Sequence, residues 1–166
     1  MTTTTTTTTT TASTTGYREL NAILDKARLD LDSVDSISDE QLCALQSRWT
    51  RALLSRLDQA IECAGPEPLI DTVRAAWCQL AGEQAILRAV LDAAEPHSVA
   101  LGAAMRAEFR YLALAVGSVG VHDPDEEAVR QGRAHRDLIR SGFNGRRHTA
   151  HRSPKRSTWR VFSRAA

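Results

Sequence analysis

His122, Asp123, Asp125, Glu126 and Glu127 form the densest group of ionisable side chains in this sequence. Carboxylates and an imidazole so close together are what a hard metal ion or an acid–base pair would require. The same residues also compose a helix start. Asp123 is an expected N-cap, Pro124 fits the first helical position, and Glu126 completes a D-x-x-E capping box. Consecutive carboxylates on a helix point in different directions, so the capping reading is preferred over a site.

Other chemical signatures are missing where they would be needed. Metal-binding bundles place Glu-x-x-His on facing helices, because positions three apart share a face. Three positions before the five histidines stand Ala94, Val119, Gly132, Gly145 and His148, so the pattern is absent. His148 and His151 are themselves three apart, but Arg146, Arg147 and Arg152 surround them and oppose a divalent cation. No P-loop, dinucleotide glycine fingerprint or G-x-S-x-G elbow occurs. The expectation is no catalytic residue, no metal site, no cofactor and no enzyme.

Charge is the stronger signal. Residues 1–127 hold 10 basic and 19 acidic side chains, whereas residues 128–166 hold 11 basic and one acidic. The net charge of +1 conceals this split, which points to a polyanionic partner at the basic end. The candidate contacts are Arg133, Arg136, Arg140, Arg146, Arg147, Arg152, Lys155, Arg156, Arg160 and Arg164, with Trp159 and Phe162 interleaved. Arginines would contact phosphates, and the two aromatics could stack on bases. Neutralisation of the acidic half by the basic half is the competing account.

The elements that would carry these groups read as helices. Ile70, Val73, Trp77, Leu80, Gln84, Leu87 and Leu91 advance alternately by three and four, which predicts one rod from Pro68 to Ala94. Asp71, Arg74, Arg88 and Asp92 fall on its other side, where charge is expected to stay solvated. Gln84 is expected at the edge of the stripe, half exposed. Trp49 and Trp77 lie within apolar stripes and are expected in the core.

Tyr17, Leu20, Leu24, Ala27, Leu31 and Val34 predict a first helix that frays near Asp32. The second starts at Ser38, where Ser38 and Gln41 form an S-x-x-Q box flanked by Ile37 and Leu42 at staple positions. It presents Leu42, Leu45, Trp49, Leu53, Leu57 and Ile61, and ends at Gly65 before Pro66 and Pro68. A fourth helix is expected from His97 or Ser98 to Val121, with Leu101, Met105, Phe109, Leu112, Val116 and Val119 on one face. Its broad apolar surface fits a central position or contact with a second molecule. The fifth runs from Asp123 to about Arg140, packed across one end or projecting.

These readings give an all-α chain, an antiparallel four- to five-helix bundle over residues 17–141. A Thr-rich leader (1–16) and a basic tail (142–166) are both expected to be disordered. Cys43, Cys63 and Cys78 lack metal or disulfide spacing and are expected as small buried hydrophobes in a reducing compartment. The Arg-over-Lys bias, 19 to 2, points to a bacterial origin, and the absence of a membrane-length apolar run or signal sequence to the cytoplasm. The expected function is a non-enzymatic binding or regulatory protein whose basic end contacts nucleic acid. The alternative is a protein-interaction bundle, an adaptor or homodimer, whose tail meets an acidic protein surface. A small-ligand or enzyme role ranks last.

Overall fold

The computed structural model describes residues 9–29 and 36–150, with side chains described for 16–29 and 36–142. Among these residues the chain is all-helical: α1 Thr9–Leu29, α2 Asp39–Glu62, α3 Leu69–Glu83, α4 Ala85–Ala94, α5 Val99–Ala104, α6 Arg106–Val116 and α7 Asp125–Ala150. α1 starts at Thr9, inside the expected leader, and Asp32 lies outside the described residues. No described helix is long and apolar enough to cross a membrane.

α2 starts as its sequence requires. Ser38 Oγ accepts the Gln41 N–H at 3.3 Å and Gln41 Oε1 accepts the Ser38 N–H at 3.0 Å, the reciprocal capping box. Ile37, partly buried, packs against the core cluster that includes Leu42. Leu42, Leu45, Trp49, Leu53 and Leu57 are buried, and α2 packs against α3, α4, α5 and α6. Trp49 meets Trp77 of α3 edge-on, with centroids 5.7 Å apart and planes at 74°. This geometry places the positive edge of one ring on the negative face of the other.

The expected rod is two helices. Gln84 takes φ −113°, ψ 42° and ends α3, and α4 begins at the next residue. Gly82, two residues earlier, weakens helical continuity there. The break matters for packing. Val73, Ala76, Trp77, Leu80 and Ala81 bury along α3, whereas α4 buries Leu87, Val90, Leu91, Ala94 and also Arg88. Arg88 is 4% exposed, so its expected solvation is corrected. The reason is that α4 is covered on more than one side, by α1 and α2 and by side chains of α6 and α7.

The fourth expected helix is also divided, at Met105, and it ends earlier than Val121. Gly117 adopts φ 76°, a left-handed conformation that favours glycine. The Ser118 N–H reaches the Ala113 carbonyl at 3.0 Å and the Gly117 N–H the Leu114 carbonyl at 3.0 Å, closing the helix end. α7 starts at Asp125, two residues after the expected cap, and Asp123 Oδ2 instead accepts the Gly120 N–H at 2.7 Å. The backbone of α7 passes Ser141-Gly142, where it was expected to stop, and reaches Ala150.

α7 lies along α6 and also touches α3. Ala128, Val129 and Ile139 are buried in that packing. The cysteines depart from expectation: Cys63 is exposed and Cys43 and Cys78 are only partly covered. Their helices turn larger residues inward, which leaves the thiols at the margins of the core.

Candidate functional site

α7 begins on the acidic cluster. Asp125 takes Arg106 at 2.7 Å and Arg110 at 3.1 Å, Glu126 takes Arg106 at 2.8 Å, and Glu127 takes Arg130 at 2.6 Å. Hydrogen bonding from Arg106 holds the Asp125 carboxyl below its ordinary value, and hydrogen bonding from Arg130 does the same for Glu127. Asp125 and Glu126 bind α7 to α6, Glu127 pairs within α7, and all three lie at its positive end. Among the described residues, no group of three His, Cys, Asp or Glu could hold a metal ion.

Of the twelve candidate polyanion contacts, three have described side chains, and they behave differently. Arg133 is exposed, with its guanidinium 5.1 Å from the centre of the Phe109 ring. Arg136 is buried, 4.7 Å from the same ring centre and 2.7 Å from Glu95 Oε1. Arg140 is partly covered, 3.0 Å from Glu95 Oε2 and 3.2 Å from Asp92 Oδ1. The expectation that all three form a free basic face is therefore corrected for Arg136 and Arg140. The turn of α7 that carries them meets the end of α4 and the residue after it, where its guanidiniums reach Asp92 and Glu95. Arg146, Arg147, Arg152, Lys155, Arg156, Trp159, Arg160, Phe162 and Arg164 lie outside the residues with described side chains.

Burial pushes the Glu95 carboxyl upward, but hydrogen bonds and charge from Arg136 and then Arg140 outweigh it, and it sits below its ordinary value. Burial opposes the charge on Arg136, yet Glu95, Glu108 and Asp137 together keep its affinity for the proton above the ordinary value.

These pairs continue into the core. Asp92 accepts Arg88 Nε at 2.9 Å, and Arg88 Nη1 stands 3.7 Å from Glu108 Oε2. Glu108 has no solvent exposure. It accepts Gln46 Nε2 at 2.8 Å and Trp77 Nε1 at 3.3 Å, so α2, α3 and α6 meet on one carboxyl. The Arg88 guanidinium lies 5.1 Å from the centre of the Trp49 ring. Glu108 is thus held by two hydrogen-bond donors, with the Arg88 guanidinium close by but beyond hydrogen-bond distance.

The neighbourhood offers little for chemistry. Neither Glu108 nor Arg88 lines either of two open clefts among the described residues. An open cleft of about 620 Å³ lies elsewhere, between α1, α2 and the α3–α4 break, lined by Asn21, Asp25, Arg28, Arg48 and Gln84 among others. Within it Arg48 is held by Asn21 at 2.8 Å and by the Tyr17 ring at 5.1 Å. No protein-family model, curated protein or solved structure matches the chain.

Sequence reasoning missed Glu108, Arg88 and Gln46, although a signal was present. Glu108 stands three after Met105 and four before Leu112; Arg88 stands four after Gln84 and three before Leu91; Gln46 stands four after Leu42 and three before Trp49. Each falls on a buried stripe. Arg88 was hidden by its assignment to the solvated side, and Glu108 and Gln46 because only apolar residues were counted on the stripes.

Proposed function

We propose that this chain is a non-enzymatic helical binding protein, built as an antiparallel bundle, whose basic C-terminal end engages nucleic acid through phosphates. The observation that carries this is the composition beyond the ion-paired part of α7. Residues 143–166 hold seven basic side chains and no acidic one. The acids of the bundle already have partners among its own arginines around α7, at Asp92, Glu95, Asp125, Glu126 and Glu127. The excess positive charge is therefore concentrated at one end of the chain. Such a segment contacts phosphates without reading sequence.

The test is fluorescence anisotropy with labelled duplex and single-stranded oligonucleotides at several salt concentrations. If about six phosphates are neutralised, log affinity falls with log salt at a slope near −5 on duplex DNA. Deleting Asn144 to Ala166 removes most of that slope and leaves the helical signal. No binding at low salt, or binding indifferent to the deletion, overturns the reading. An adaptor or homodimer whose tail meets an acidic protein then takes its place.

A further inference from the structure

Arg136 and Arg140 belong to the basic end by sequence, yet they are held on acids of the bundle, and Arg136 is held also on the Phe109 ring and on Asp137 of its own helix. Glu95 receives both guanidiniums, one on each oxygen, at 2.7 and 3.0 Å. Asp92 receives Arg140 at 3.2 Å and Arg88 at 2.7 Å, both on Oδ1. Anionic oxygens that accept from a guanidinium are what a phosphate also provides, so a phosphate backbone and these two carboxylates would compete for the same donors. Arg133 and Arg130 lie on the same helix, but neither reaches this acidic pair: Arg130 is bound to Glu127, and Arg133 lies over Phe109.

We infer that Asp92 and Glu95 form an intramolecular latch that withholds Arg136 and Arg140 from a polyanion, so that docking of this part of α7 and full engagement of phosphate compete. The inference rests on the reading of the basic end given above. In the latched state the protein binds through residues beyond Gly142 alone. Release of the latch adds two arginines to the binding face. The N-terminal half of α7 stays in place, because Arg106 and Arg110 hold Asp125 and Glu126, and Ala128 and Val129 are buried. Release is thus confined to the turn around Arg136 and Arg140, and it also lifts Ile139, which is buried between them.

The latch predicts a change in the number of phosphates contacted. The full chain carrying D92N and E95Q is compared with the unmodified chain on a labelled single strand across a salt series. Each added phosphate contact steepens the log–log slope by about 0.7, so two steepen it by about 1.4. Amides near Arg136 and Arg140 also exchange hydrogen faster in the double variant. R140Q in the D92N/E95Q background reverses about half of the steepening, whereas R140Q alone leaves the slope of the unmodified chain unchanged. D58N/E62Q, which neutralises two exposed acids of α2, controls for net charge and leaves the slope unchanged. Should D92N/E95Q lose helical signal, E95Q alone, which keeps Asp92 for Arg88, serves in its place with a smaller steepening.

Binding by the unmodified chain with no steepening in the variant, or with equal steepening in D58N/E62Q, overturns the latch and leaves the basic-end reading standing. Failure of the unmodified chain to bind at low salt overturns that reading and the latch with it.

Discussion

Gly132 of α7 lies directly on the backbone of Phe109 of α6. A β-carbon at Gly132 would collide with the Phe109 carbonyl group, and would stand only 2.7 Å from the Phe109 Cα. The obstacle is main chain, which cannot rotate aside. G132A therefore forces α6 and α7 apart, although alanine is the better helix former by about 1 kcal/mol. Overpacking of this kind costs about 1–3 kcal/mol and sometimes more. Urea denaturation checks it: net destabilisation is expected, and a stabilised variant would mean that the two helices do not approach so closely.

The Arg88–Glu108 pair gives the second prediction. Removing one partner of a buried ion pair costs about 3–5 kcal/mol, because the other charge is left uncompensated. R88M keeps the side-chain volume and removes the charge; E108Q keeps the acceptor and removes the charge. The two losses are expected to overlap, with a coupling of at least about 1 kcal/mol in a double-mutant cycle. Simple additivity would show that Glu108 is supported by Gln46 and Trp77 without Arg88. W77A, which removes a buried ring and a donor to Glu108, is expected to cost about 3–5 kcal/mol.

Acid should loosen α7 through Glu95. Its carboxyl sits below the ordinary value when folded, because Arg136 and Arg140 outweigh its burial. A depressed folded value means a stabilising contribution that is complete above the unfolded value, about 4.3. That contribution is lost as pH falls through the lower folded value. The arginines keep their charge throughout this range. Melting temperatures of the unmodified chain and E95Q are therefore expected to differ most above about pH 5 and to converge toward pH 3. A gap of constant size across that range would show that the Glu95 charge is not what matters.

The aromatics of the C-terminal end separate two modes of binding. W159A/F162A is expected to weaken single-stranded oligonucleotides more than duplex, since stacking needs exposed base faces. A loss of about 1–3 kcal/mol per stacked base is the expected scale. Anisotropy titrations at one fixed salt concentration compare the two, and an equal loss for both would assign the aromatics to another role.

The helix types and most of the core were legible because apolar periodicity reports burial directly. Leu42, Leu45, Trp49, Leu53 and Leu57 are buried as their spacing requires, as are Val73, Trp77 and Leu80. The Ser38–Gln41 box was legible because it is local. The break at Gln84 was not, since the three-four spacing continues across it. The charged positions failed for a different reason. Arg88, Glu108 and Arg136 occupy buried stripes; Asp92 stands four residues after Arg88 on the same helix, but Glu108 for Arg88, Gln46 and Trp77 for Glu108, and Glu95 for Arg136 come from elsewhere in the fold, and spacing along one helix carries no record of them. Gly132 did carry a signal. A glycine well inside a helix costs about 0.5–1 kcal/mol, which close approach by a neighbour can justify. For the candidate site, composition located the basic end, but it could not tell which arginines face Asp92 and Glu95.

Polar groups within the core leave a calorimetric trace. Exposing apolar surface raises the heat capacity of the unfolded chain, and exposing polar surface lowers it. Gln46, Thr50, Arg88, Glu108 and Arg136 are buried beside the leucines and tryptophans. Their release on unfolding subtracts from the increment that the apolar side chains add. The free energy of unfolding consequently curves less steeply with temperature than in a bundle of equal size with an all-hydrocarbon interior, and the domain keeps its margin over a wider span of heat and cold.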